Sequence, residues 1–160
     1  MLLVTACNSS GQQDTSQTSA EENEQAQEQT GPLSKVAIAD LEGKPIQLEE
    51  YAGKTIVLNF WATWCKPCIV EMPSMVEARA SLGDEFVFLL ASDESTEKIS
   101  KFVEKQQIDL PFVQLQNGVQ NLQITALPTT WIIRDGKILK EIIGAMEWNT
   151  EENIEELKNL

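Results

Sequence analysis

Residues 55–73 read TIVLNFWATWCKPCIVEMP, and this stretch decides how the chain folds. Its first seven residues, Thr55 to Trp61, are a nearly continuous apolar run. Such a run predicts a strand buried on both faces, because both sides of its pleat must meet apolar neighbours. Cys65 to about Leu82 then predicts a helix, with Pro67 in the first turn, where a missing N–H costs little. Pro73 falls inside that helix and is expected to kink it. Cys65 and Cys68 therefore stand at a junction: a strand delivers the first to the start of a helix that carries the second.

On either side the pattern continues. KVAIADLEGKPIQL (35–48) gives two short alternating runs around Glu42-Gly43, a hairpin signal. FVFLLAS (86–92) reads as a second buried strand. STEKISKFVEKQQ (95–107) reads as an amphipathic helix with Ile99, Phe102 and Val103 on one face. TTWIIR (129–134), Asp135-Gly136 and KILKEII (137–143) form the clearest hairpin in the chain. NTEENIEELKNL closes it as a helix, with Asn149 as N-cap and Glu152 three residues on. Hairpin, strand, helix, strand, helix, hairpin, helix is an α/β pattern: a central mixed β-sheet with helices on both faces and no internal repeat.

Ahead of this domain, which begins at Leu33, the composition differs. Residues 8–32 contain almost nothing apolar beyond Ala20 and Ala26, and their five charges are all acidic. Such a segment buries too little surface to offset its ordering entropy, so a disordered tether is expected, with ends about 25–30 Å apart. Val4-Thr5-Ala6-Cys7 looks like a bacterial lipoprotein cleavage box. Residues 1–7 then read as the remnant of a signal peptide, with Cys7 receiving lipid and holding the domain at a membrane. An ordinary free cysteine on a frayed terminus is the plainer alternative.

The whole chain has 160 residues, enough for one domain, and is 42% apolar. Its net charge of -13 repels phosphate backbones, which argues against nucleic acid as a partner. It has no histidine, which removes the commonest metal ligand and the commonest general base. A structural zinc site needs four ligands, and one cysteine pair plus a third cysteine across the tether falls short, so no metal is expected. A structural bridge is the next reading, but closing so small a loop removes little unfolded-state entropy. At a helix start, by contrast, unpaired N–H groups favour the thiolate of Cys65. Cys68, one turn on, is placed to attack a mixed disulfide formed on Cys65. Lys66 adds a positive charge, and Pro67 stiffens the turn. The physics favours a reactive pair over a staple.

VLNFWATWCKPC resembles the active-site strand and helix of the thioredoxin superfamily. The longer LNFWATWCKPCIVEMP, with DLEGKPIQLEEYAGKTIVLNFW and ALPTTWIIRDGKI, resembles its membrane-tethered extracytoplasmic branch, the ResA/TlpA type of thiol–disulfide oxidoreductase. The similarity spans residues 33–160 in order. It implies a thioredoxin-like fold with an added N-terminal β-hairpin, and no cofactor. Cys65 would attack and Cys68 resolve. Pro128 would be the cis-proline facing the pair, turning the backbone so that Leu127 pairs with an extended substrate. Trp64, Lys66 and Pro67 would complete the substrate surface, with Trp61 in the core. Where cytoplasmic thioredoxins bury an aspartate, this chain has Asn59, which cannot shuttle a proton. Glu71, three residues after Cys68, would accept the Cys68 proton instead; a solvated helix glutamate is the plainer reading.

What the resemblance implies about function is reduction of disulfides in exported proteins, apocytochrome c among them. Electrons would come from a membrane protein of the thiol–disulfide relay type, and the domain would sit on the outer face of the bacterial cytoplasmic membrane. Two other classes compete. A thiol peroxidase of the peroxiredoxin kind places threonine three residues before its reactive cysteine and proline seven before, where this chain has Ala62 and Leu58. A non-catalytic lipoprotein binding module would keep the disulfide as an inert brace.

Overall fold

In the computed structural model, residues 31–160 are described. The expected lipidation site at Cys7 and nearly all of the expected tether lie outside them. Pro32, the last residue of that segment, opens a short 3-10 helix, Pro32–Lys35.

The strands are β1 (Ile38–Ala39), β2 (Pro45–Ile46), β3 (Thr55–Phe60), β4 (Phe86–Ser92), β5 (Phe112–Leu115), β6 (Thr129–Arg134) and β7 (Lys137–Ile143). The α-helices are α1 (Lys66–Leu82), α2 (Thr96–Gln106) and α3 (Glu151–Lys158). All seven strands join one sheet in the order β2-β1-β5-β4-β3-β6-β7. β3, β4 and β5 run parallel, while β1, β2, β6 and β7 pair antiparallel at the two sides. The expected mixed sheet with an added N-terminal hairpin is present. That hairpin turns because the Asp40 carboxylate accepts from the Glu42 and Lys44 N–H groups, at 3.1 and 2.8 Å, while Gly43 takes φ +87°. At the β6–β7 turn, Asp135 and Gly136 both take positive φ, 49° and 70°. This is why Asp-Gly marked the hairpin to the residue.

β3 lies between β4 and β6, and all six of its residues are buried. Its pleat divides the interior in two. Val57 and Trp61 face a core with Met72, Met75, Phe88, Phe102, Ile132 and Trp148. Ile56, Leu58 and Phe60 face a second core with Leu89, Val113, Leu122, Ile124 and Trp131.

The buried apolar side chains of all three α-helices belong to the first core. Helices on both faces were expected; instead the second core is closed by short 3-10 segments carrying Leu33, Leu48 and Tyr51, and Leu122. The reason is handedness. From β3 to β4 to β5 the sheet advances in one direction, and right-handed crossovers then place α1 and α2 on the same side.

Other boundaries move slightly. Cys65 caps α1 rather than belonging to it, and α1 continues through Pro73 as one element. α3 is capped by Thr150, whose hydroxyl accepts from Asn153 N–H at 3.3 Å. Asn149, the expected cap, instead donates its side-chain amide to Glu77 at 2.6 Å. β5 is a strand that the sequence reading did not include.

Leu58 is fully buried in the central strand. Leu58→Ala is expected to cost about 2–5 kcal/mol by removing apolar burial and leaving a cavity. Urea unfolding checks this: the midpoint should fall while the slope stays constant.

Candidate active site

The parallel pairing of β3 with β4 brings the carboxyl ends of both strands to one edge, where the chain leaves β3 for α1. Cys65 takes extended geometry there, φ −82° and ψ 94°, and its Sγ accepts from Cys68 N–H at 3.3 Å. A sulfur thus fills the capping role usually taken by Ser, Asp or Asn. No acidic residue sits in the first turn of α1, so nothing in that turn opposes negative charge on sulfur. Cys65 and Cys68 are joined as a disulfide, with Cα atoms 5.4 Å apart. Cys65 is 4% exposed and Cys68 fully buried, so an incoming sulfur meets Cys65 first. Trp64 beside them is 71% exposed, and Lys66 and Pro67 are exposed as well. Trp61 is core, against Phe102 and Phe112.

Glu71 is buried, not solvated. Its Oε1 accepts from Asn59 Nδ2 at 2.9 Å, and its Oε2 from Trp148 Nε1 at 3.1 Å and Met146 N–H at 3.2 Å. Burial pushes the Glu71 carboxyl above its ordinary range, and the three donors pull it back without cancelling that shift. Oε1, with a single donor, keeps a lone pair for a proton. Asn59 also donates to Thr130 Oγ1 at 2.8 Å. The Glu71 carboxylate can only accept, which fixes the orientation of the Asn59 amide. Asn59 therefore serves as a donor to the buried carboxylate, not as a proton carrier.

The Leu127–Pro128 bond is cis. Pro128 is buried and its carbonyl accepts from Gly144 N–H at 2.8 Å, while Leu127 is half-buried. From the neighbouring segment a groove of about 510 Å³ runs between α1 and residues 145–149, lined by Val70, Glu71, Pro73, Glu77 and Met146. Another groove of about 460 Å³, by Lys54, Arg79 and Asp109, includes none of these site residues.

One residue that touches the site's turn escaped the sequence reading. Glu94 follows β4 and accepts from both the N–H and the hydroxyl of Thr63, at 2.7 and 2.9 Å, two residues before Cys65. Burial pushes its carboxyl up, but hydrogen bonds from Lys98 and Thr63 prevail and hold it below the usual carboxylate range. A signal for it existed: residues just beyond the carboxyl end of a parallel strand sit where α/β folds place their sites.

Comparison with known proteins agrees with this geometry. The family model described as Redoxin matches residues 21–158. Thiol-disulfide oxidoreductase ResA of Bacillus thuringiensis is 37% identical over 124 residues, 74% of this chain and 70% of that protein. ResA of Geobacillus thermodenitrificans is 40% identical over the same length and coverage. Among solved structures, the pneumococcal exposed lipoprotein thioredoxin Etrx1 from Streptococcus pneumoniae has a TM-score of 0.66 at 26% identity, covering 78% of this chain and 98% of that one. StoA from Bacillus subtilis has a TM-score of 0.61 at 24% identity, covering 77% and 92%, a likeness of fold.

Asn59→Asp replaces the amide donor with a second acid facing the Glu71 carboxylate. The expected loss is about 3 kcal/mol at pH 7, because ionising both acids would bury two like charges and holding one protonated there costs free energy. The proton the pair shares is held above the ordinary carboxylate range, so the penalty is present above that range and relieved as pH falls. Urea unfolding at pH 7 and pH 5 checks this, and an equal loss at both would contradict it.

Proposed function

Because this chain belongs to the Redoxin family and is a ResA/TlpA-like thiol–disulfide oxidoreductase of the thioredoxin superfamily, we propose that it reduces disulfides in exported proteins, with apocytochrome c among its substrates. The observation that carries the reading is the paired placement on α1: a cysteine sulfur at the helix head and a buried carboxylate, Glu71, one turn beyond the second cysteine.

In this scheme the dithiol form acts first. The Cys65 thiolate attacks a substrate disulfide, forming a Cys65–substrate disulfide and releasing one substrate thiolate. Glu71 Oε1 takes the proton from Cys68, whose thiolate attacks the Cys65 sulfur. The Cys65–Cys68 bond closes, and the second substrate sulfur leaves, taking the proton back from Glu71. Two electrons and one proton have passed from the protein to the substrate, and the first substrate thiolate takes its proton from water. Trp64, Lys66 and Pro67 form the exposed rim against which the substrate lies, and Leu127 with Pro128 forms the opposite wall. A membrane protein of the thiol–disulfide relay type returns the electrons.

The location proposed is the outer face of the cytoplasmic membrane, through lipid on Cys7. Support comes from the Val4-Thr5-Ala6-Cys7 box and the exposed-lipoprotein description of the pneumococcal neighbour. Among the described residues no helix is long and apolar enough to cross a membrane.

Two experiments test the proposal. Cys68→Ser should trap substrates as mixed disulfides on Cys65, released by a thiol reductant. Capture of cytosolic proteins alone, with no exported disulfide protein, would sink the substrate class. Glu71→Gln addresses the proton. Exchange by the native protein should rise as pH passes the elevated Glu71 range, because the base must be ionised. In the variant that rise should vanish, with the rate down about 10²-fold above it.

A further inference from the structure

The turn that presents Cys65 is held from outside its own helix. Cys65 N–H closes it on the Ala62 carbonyl at 3.0 Å. Thr63, inside the turn, gives both of its donors to one carboxylate: N–H to Glu94 Oε2 at 2.7 Å and hydroxyl to Glu94 Oε1 at 2.9 Å. Glu94 belongs to a different element, the link between β4 and the Ser95 cap of α2. Its side chain is 9% exposed and paired with Lys98, one turn into α2. Ser92 Oγ donates to the same carboxylate at 3.3 Å, and Gln114 Nε2 donates to the Glu94 carbonyl at 3.2 Å. A braced, charged acceptor thus grips the backbone just ahead of Cys65. Charge-assisted bonds of this kind are roughly twice as strong as neutral ones.

A second tie on Cys65 exists in only one redox state. The Cys65–Cys68 disulfide fastens it to α1 covalently. When a dithiol reductant passes two electrons and two protons to that bond, closing its own disulfide, two thiols form and the covalent tie is gone. What remains on Cys65 is the cap contact to Cys68 N–H, the turn, and the Glu94 clamp. An interaction moves a two-state equilibrium only by the difference in its strength between the states. In the disulfide form the clamp closes on a residue already fastened, at little ordering cost. In the dithiol form it must also immobilise a residue otherwise free to swing from the helix head, so its net strength is greater in the disulfide form.

We infer that Glu94 is a positioning residue that favours the disulfide form of the Cys65–Cys68 pair over the dithiol form, and so sets its redox poise. The inference rests on the pair cycling between these forms, not on any substrate. A carboxylate acting merely as a like charge near a thiolate would also disfavour the reduced form, but that effect would vanish in a neutral glutamine as readily as in an alanine.

The glutamine variant makes the test decisive. Glu94→Ala removes the clamp. Glu94→Gln keeps it without the charge, its carbonyl accepting from Thr63 N–H and its amide donating to Thr63 Oγ1. Each variant and the native chain are equilibrated with dithiothreitol, and each is unfolded in urea in both redox forms. For Glu94→Ala the equilibrium constant for reduction should rise about tenfold, ~30 mV less negative for a two-electron couple. Its oxidised form should lose about tenfold more in folding equilibrium than its reduced form, closing the thermodynamic cycle. Glu94→Gln should stay within about threefold of the native chain. Equal destabilisation of both forms with an unchanged potential would overturn the inference, leaving Glu94 as scaffold. A less negative potential in both variants would also overturn it, because charge alone would then be acting. A native pair that never equilibrates with dithiothreitol would overturn the cycling itself.

Discussion

The site depends on the contact between one sulfur and the start of one helix. A helix begins with N–H groups that its own backbone leaves unpaired, and they carry partial positive charge. Here Cys65 Sγ accepts one of them, from Cys68, while the rest of α1 is anchored through Met72, Met75, Ala78 and Leu82 in the first core. The sheet makes this possible. A six-residue strand buried on all sides delivers the chain to one edge, and the helix must begin where the strand stops. Were the helix to start elsewhere, the same two cysteines would be a short structural loop.

Around that contact the protein holds two carboxylates, Glu71 buried and Glu94 half-buried, and treats them differently. Glu94 is held by a lysine and by Thr63, and its carboxyl falls below the usual range. Glu71 faces only neutral donors, and burial leaves its carboxyl raised. The difference is the presence or absence of a cation, since hydrogen bonds from neutral N–H groups do not match the solvation that burial removes. A glutamine at position 71 would not relieve the arrangement simply. One end of its amide would turn N–H groups toward N–H donors, so the three donors select a carboxylate.

Much of this was legible in the residues, and what was legible was local. The β6–β7 hairpin followed from two adjacent residues that tolerate positive φ. The strand 86–92 and the cysteine pair followed from continuous hydrophobicity and a short spacing. What was not legible is what distant residues decide. The burial of Glu71 needs Asn59, Met146 and Trp148, two of them more than seventy residues away. Asn149 lost its capping role to Thr150 because Glu77, across the groove, takes its amide. Glu94 looked like one more acid on an acidic chain until parallel pairing set it beside Thr63. β5 is only four residues long and becomes a strand through its pairing with β1 and β4.

The uneven dressing of the sheet has a dynamic consequence. The face closed by three α-helices resists opening as a unit, because each helix contributes buried side chains to a shared core. The other face is covered by single turns, each giving one or two side chains to the interior. Their amide protons will exchange with solvent through small, cheap local unfolding events well below the global stability. One of these turns, Val119–Leu122, lies a few residues before the cis bond between Leu127 and Pro128. Local opening there can therefore reach the chain just ahead of that bond without disturbing the core that the three α-helices share.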